Sequence, residues 1–132
     1  MLRFDFDRDP ATLTRALYDA TSPNPAAFKA RGGKLLLWHG LADGGIAATS
    51  SVGYHEFVVD ALGGRTQVDD FFRVFLIPGV HHCGGGPGLA EFDAFSALEE
   101  WVERARPPDR LMASFVDGRS PRPLFPVGPN RR

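Results

Sequence analysis

The stretch "GGKLLLWHG", residues 32–40, decides how the chain is read. Four consecutive apolar residues, Leu35 to Trp38, lie between glycines, and such a run suits a strand buried on both faces, as in parallel sheets. A second run of the same kind, "FFRVFLIPG", follows at residues 71–79. Between them the loop "LADGG" leads into residues 46–62. There Ile46, Val52, Phe57, Val58 and Leu62, with Ser50 near the start and Gly63-Gly64 at the close, describe an amphipathic helix with a glycine stop. Beyond the second strand a helix is expected from about Phe92 to Arg104. It carries Phe92, Phe95, Leu98, Trp101 and Val102 on one face and ends at Pro107-Pro108.

Strand, loop, helix, strand, loop, helix is the order of a βαβα unit with a right-handed crossover. The expected class is therefore α/β, a short parallel sheet with flanking helices in a single domain. The unit spans residues 28–106. Residues 1–27 form a lead-in: Leu2, Phe4 and Phe6 alternate with charges, as a short strand or an extended segment would. Leu13, Ala16, Leu17 and Ala20 then recur at helical spacing behind Asp9-Pro10, and "TSPNPAAF" ends that helix. Residues 107–132 read as a Pro-rich, ordered or semi-ordered tail.

The 132 residues, 43% hydrophobic and 23% charged, have the composition of one ordinary globular domain. A net charge of -1 provides no field that would gather nucleic acid or an anionic membrane. No run approaches the roughly 20 apolar residues of a membrane span. "MLRFDFDRDP" lacks the apolar core of a secretory signal, so the chain as written is expected in the cytoplasm. With one cysteine, Cys83, no internal disulfide can form.

In such units functional residues collect in the loops beyond the carboxyl ends of the strands. The first loop holds His39 and Asp43, the second His81 and His82, so a carboxylate and an imidazole share one rim. An Asp that holds one nitrogen of a His lets the other take a proton from a serine. Two plainer readings stand beside this one: Asp43 as a helix N-cap and the histidine as a packed, hydrogen-bonded residue. In "PGVHHCGGGPG", residues 78–88, the adjacent His81, His82 and Cys83 cannot all face one metal from an extended backbone. The glycines are not a phosphate loop, since no G-x-x-x-x-G-K-[ST] follows and Pro87 removes a donor. They read as clearance for substrate or a neighbouring loop. No cofactor and no metal is expected.

"GGKLLLWHGLADGGI", "VDDFFRVFLIPGVHHCGGGPG", "FDAFSALEEWVERARPPDRLMAS" and "RPLFP" together resemble the carboxyl-terminal part of the tannase and feruloyl esterase family. The resemblance runs from about Phe28 nearly to the end. Its most specific pieces are H-G-x-x-D at 39–43 and P-G-x-x-H-C-x-G-G at 78–86. It implies a partial α/β-hydrolase fold and a serine esterase acting on phenolic (feruloyl or galloyl) esters, with Asp43 as the acid of a Ser-Asp-His triad and His82 as its general base. It also implies that Cys83 is one half of a disulfide to a cysteine immediately before the catalytic serine. Family members are commonly secreted, which suits such a disulfide.

The departures from that pattern are as informative. No G-x-C-S-x-G-G elbow occurs, the calcium-carrying lid domain of the family has no counterpart, and Phe125 stands where "RPLCP" has cysteine. These gaps imply a carboxyl-terminal fragment, a truncated product or a remnant. Ser51, in "TSSVG", falls at a predicted helix start, where Ser50 or Ser51 makes an ordinary cap. Cys83 as a substitute nucleophile points away from its neighbour His82 in extended backbone. His39 is expected to support its loop, His81 to be incidental and His55 to lie on the helix surface. A short sheet with open edges is expected to self-associate or to pair with a missing amino-terminal segment. The reading from another class is a non-catalytic α/β remnant that serves as an interaction or self-association module.

Overall fold

A computed structural model describes residues 4–13, 20–22, 24–119 and 121–128. Its centre is a parallel pair, β1 (Leu35–Gly40) and β2 (Phe72–Ile77), in register from Leu35 opposite Phe72 to Gly40 opposite Ile77. Successive side chains of a strand face opposite ways. Leu35, Leu37, Phe72 and Val74 accordingly pack with Val58, Val59, Val68 and Phe71 on one side of the sheet. Leu36, Trp38, Phe75 and Ile77 pack with Val80, Leu89, Leu111, Ala113 and Leu124 on the other. Packing on two sides is why Leu35–Trp38 reads as an unbroken apolar run and β2 as one interrupted only by Arg73.

The first side is covered by α3 (Ala48–Ala61) and the short α4 (Arg65–Asp69). Toward the second side lie α5 (Ala94–Arg104) and an antiparallel sheet in the order β3 (Glu91–Phe92), β4 (Leu111–Ser114), β5 (Arg122–Leu124). The lead-in contributes α1 (Asp9–Leu13) and α2 (Ala26–Ala30).

Several expectations change here. The Pro-rich tail is sheet: Leu111 pairs with Leu124 and Met112 with Pro123. Pro123 is tolerated because β5 is an edge strand, where a missing N–H costs no ladder bond. Helix α5 begins two residues later than expected, since Phe92 pairs in β3 and the Asp93 carboxylate caps the helix by accepting the Ser96 N–H at 2.9 Å. Its packed face is Ala97 and Trp101, while Phe95 and Val102 are exposed. In α3 the exposed residues include Phe57, and Ile46 lies exposed before its start. The lead-in has no strand over residues 4–8: the Asp5 carboxylate accepts the N–H groups of Asp7 and Arg8, both at 3.0 Å, and makes a turn. Leu2, Ala16 and Leu17 lie outside the described residues, and α1 is described only to Leu13. Among the described residues no helix is long and apolar enough to cross a membrane.

The two central strands are not equivalent. The far side of β2 is joined by the tail, where Phe75 bridges Pro126 and the Val127 N–H donates to the Val74 carbonyl at 2.7 Å. No strand among the described residues pairs with the far side of β1. Side chains 35–39 are accordingly only half-buried, whereas β2 is mostly buried.

His55 is not on the surface. It is fully buried with Val58 and Val59 on the inner face of α3, edge-to-face with Phe72 at 4.9 Å between ring centroids. Among the described residues neither ring nitrogen has a hydrogen-bond partner of normal geometry. Burial, aided by the nearby Arg65 charge, lowers the pKa of this imidazole from its ordinary 6.5. The folded state therefore favours the neutral ring. As pH falls through 6.5 the unfolded chain takes up a proton that the folded chain resists, and stability is lost down to the folded pKa. In urea titrations at pH 7.5 and 5.5, wild type should lose stability on acidification that His55→Leu keeps. An equal loss in both proteins would remove His55 as the cause. At pH 7.5 the substitution itself should be neutral or stabilising by about 1 kcal/mol, because it replaces an unpaired buried polar group.

Candidate active site

Parallel pairing places the ends of β1 and β2 on one rim, with Gly40 beside Ile77. The chains then cross closely. The Leu41 N–H donates to the Ile77 carbonyl at 2.9 Å, and the Ala42 N–H to the Val80 carbonyl at 3.0 Å. A Cβ on Gly40 would stand 2.2 Å from the Val80 carbonyl oxygen, so no other residue fits there without moving one loop. This contact explains the glycine of H-G-x-x-D.

The second loop doubles back on itself. The Gly88 N–H donates to the Gly79 carbonyl at 3.0 Å, and a Cβ on Gly88 would stand 1.9 Å from the Pro78 carbonyl oxygen. Gly79, Gly86 and Gly88 serve close approach of the loop to itself, while Gly84 and Gly85 have open space around them. At the tip, residues 82–83 form a turn instead of extended backbone, with Cys83 in the left-handed region at φ 62°.

The two loops bring Asp43 and His82 together: His82 Nδ1 lies 2.7 Å from Asp43 Oδ2. Asp43 Oδ1 accepts the backbone N–H groups of Gly45 at 2.8 Å and Ile46 at 3.0 Å. Its side chain is 4% exposed, against 57% for His82. The Ile46 N–H, the His82 ring and the Gly45 N–H hold the Asp43 carboxyl well below the usual carboxylate range, against the opposing effect of burial. Asp43 is therefore ionised and takes the His82 Nδ1–H, which leaves Nε2 of His82 as a proton acceptor without a partner among the described residues. Asp43 is not a helix cap: α3 starts behind Ala47, with no side-chain cap.

A cavity of about 220 Å³ lies at this rim, lined by Trp38, His39, Gly40, Asp43, His81, His82 and Cys83. An acceptor imidazole beside an open cavity can remove a proton from a hydroxyl and return it to a leaving group. Among the described residues no three His, Cys, Asp or Glu side chains are grouped to hold a metal. Cys83 is an exposed free thiol.

A contact absent from the sequence reading lies behind Asp43. His39 Nε2 is 3.2 Å from Asp43 Oδ2 and 3.0 Å from the Ile46 carbonyl oxygen, and His39 Nδ1 is 2.7 Å from Ser51 Oγ. Ser51 thus contacts His39 instead of capping α3, and it does not line the cavity. Helical spacing hinted at this, since Ser51, His55 and Val58 recur on the face that carries the buried residues of α3.

The model of the family described as tannase and feruloyl esterase matches residues 5–125. The chain belongs to this family. It is 41% identical over 123 residues to mono(2-hydroxyethyl) terephthalate hydrolase of Piscinibacter sakaiensis, covering 86% of this chain and 20% of that protein. It is 40% identical over 107 residues to a probable feruloyl esterase of Arthroderma benhamiae, covering 80% of this chain and 20% of that one. Among solved structures, feruloyl esterase B from Aspergillus oryzae superposes with a TM-score of 0.79 at 24% identity, covering 94% of this chain and 29% of that one. The fold is thus a partial α/β-hydrolase fold, and the chain spans about a fifth of the length of the curated relatives it matches.

The Gly40 contact can be tested directly. Gly40→Ala should cost about 1–3 kcal/mol of stability through overpacking against backbone. It should also alter the amide resonances of residues 41–46 and 79–83 together. Unchanged stability and resonances would show that the two loops do not depend on this approach.

Proposed function

We propose that this chain is the acid-and-base portion of a carboxylic ester hydrolase acting on phenolic esters, with the nucleophilic serine carried by a segment outside these 132 residues. The observation that carries the reading is the 2.7 Å contact between His82 Nδ1 and Asp43 Oδ2 at the edge of an open cavity. Family membership and relatives named as feruloyl esterase and terephthalate ester hydrolase support an aromatic acyl group.

In this mechanism the serine oxygen attacks the ester carbonyl carbon while its proton passes to His82 Nε2. Asp43 keeps the ring oriented and stabilises the imidazolium. His82 then gives the proton to the departing alkoxide, leaving an acyl-serine. Water attacks the acyl carbon with His82 again as base, releasing the acid and restoring the serine. The free flank of β1 suits the missing segment, since a strand paired there would lie beside the acid loop.

Hydrolysis of methyl ferulate and p-nitrophenyl esters tests this with the chain alone and with the chain joined to its upstream coding segment. The chain alone should be nearly inert, and the joined protein active. In the joined protein His82→Ala and Asp43→Asn should each lower kcat by about 10⁴-fold or more. Turnover indifferent to His82→Ala would refute the assignment.

A second reading, a non-catalytic module that self-associates, draws on the same half-buried flank of β1 and on the exposed Leu41 and Ile46 next to it. It predicts a concentration-dependent dimer of the isolated chain, and a clean monomer in size-exclusion chromatography would remove it.

A further inference from the structure

We propose that His39, which holds the Ile46 carbonyl through its Nε2–H, is the positioning residue that aims Asp43 at His82. The proposal rests on Asp43 and His82 being the working pair, but its geometry stands independently of any turnover. His39 Nε2 lies 3.0 Å from the Ile46 carbonyl oxygen, which can only accept, so it carries the hydrogen and donates there, and Asp43 Oδ2, 3.2 Å away, makes a polar contact with the same ring edge. In a neutral imidazole the other nitrogen is then an acceptor. Ser51 Oγ stands 2.7 Å from it, and its hydroxyl donates there. The opposite tautomer would leave a bare Nε2 facing two acceptors, so the Ile46 carbonyl selects the ring state, and the Ser51 hydroxyl, able to donate or accept, adapts to it.

The consequence falls on the carboxylate. Two backbone N–H groups pin Asp43 Oδ1, but they leave the group free to pivot about its own bond axis. Oδ2 accepts from His82 on the cavity side and lies against the Nε2 edge of His39 on the side of α3. With His39 in place, a pivot that breaks the bond to His82 also carries Oδ2 off this polar edge. His39 also ties the far end of the acid loop to its start through Ile46. Its side chain is 11% exposed, with both nitrogens occupied, so neither is open to substrate.

Ser51, His39 and Asp43 could also be read as a serine-histidine-acid relay with Ser51 as nucleophile. Ser51 lies inside α3 and does not line the cavity, which favours a structural hydroxyl.

The test is nitrogen-15 NMR of the histidine rings in the 132-residue chain, which needs no catalytic activity. The expected result is a pure Nε2–H tautomer for His39 and a slowly exchanging, downfield Nδ1–H for His82. Ser51→Ala should leave His39 in the Nε2–H tautomer, because the Ile46 carbonyl still requires it. His39→Gln places an amide N–H near the Nε2 position and should preserve the His82 signal. His39→Leu, and His39→Asn whose amide reaches only toward Ser51, should speed exchange of the His82 proton by about tenfold or more, because the Ile46 end of the acid loop loses its tie. If His39→Leu fails to fold, judged by circular dichroism, the contrast between Gln and Asn decides. His39 found as the Nδ1–H tautomer, a His82 proton indifferent to Leu and Asn, or phosphonate labelling of Ser51 would each overturn the proposal. Failure of the esterase reading would appear separately, as an inert joined protein whose histidine signals nevertheless behave as described.

Discussion

Everything at the rim depends on the approach of Gly40 to the Val80 carbonyl. Parallel pairing of β1 with β2 brings two strand ends side by side, about 4.8 Å apart. Strand pairing alone does not make the following loops meet. Here the Leu41 and Ala42 N–H groups continue the ladder past the strands onto Ile77 and Val80. The missing Cβ at Gly40 lets the backbones close. Asp43 is then three residues from a fixed point, and His82 is two residues from the same one. A short lever on each side turns a backbone contact into a side-chain hydrogen bond.

The rim is rigid where the chemistry needs it and open where substrate must enter. Asp43 receives three donors, two from its own loop and one from His82, and is nearly sealed from water. Its ionisation is therefore secured by hydrogen bonds, from the Ile46 N–H, the His82 ring and the Gly45 N–H. The glycine-rich loop that carries His82 is tied to itself at Gly79–Gly88 and Pro78–Leu89, so the exposed histidine stands on a closed base. Backbone hydrogen bonds supply the order that side-chain packing cannot supply at an exposed tip.

Much of this was legible in the residues, for physical reasons. A strand packed on both faces leaves an apolar run, so Leu35–Trp38 and Phe72–Ile77 announced themselves, and the order of elements put Asp43 and His82 on one rim. The tail was not legible because β3, β4 and β5 are two to four residues long and one contains proline. Strands so short form because Leu111, Ala113 and Leu124 have a core to join, a tertiary cause with no local signature. Phe95 and Val102 misled because an exposed apolar side chain is common and looks, in sequence, like a buried one. His55 misled in the opposite sense. Its polarity suggested the surface, but its spacing to Val58 and Val59 put it inside. The link from His39 to Ser51 joins a strand end to the next helix and depends on how that helix settles on the sheet.

The two imidazoles on Asp43 Oδ2 show why residue type alone does not assign a role. Both are histidines within hydrogen-bonding distance of the same ionised oxygen. One uses its second nitrogen on a serine hydroxyl from its own scaffold, with its side chain 11% exposed. The other presents its second nitrogen to a cavity, 57% exposed. A base must exchange protons with something that arrives, so an imidazole already satisfied at both nitrogens is excluded by its own bonds. The inner ring instead supplies stiffness, which a carboxylate shared with an exposed, mobile partner would otherwise lack. The division of labour follows from which side of the acid each ring occupies, and that is set by the direction in which β1 and β2 leave the sheet.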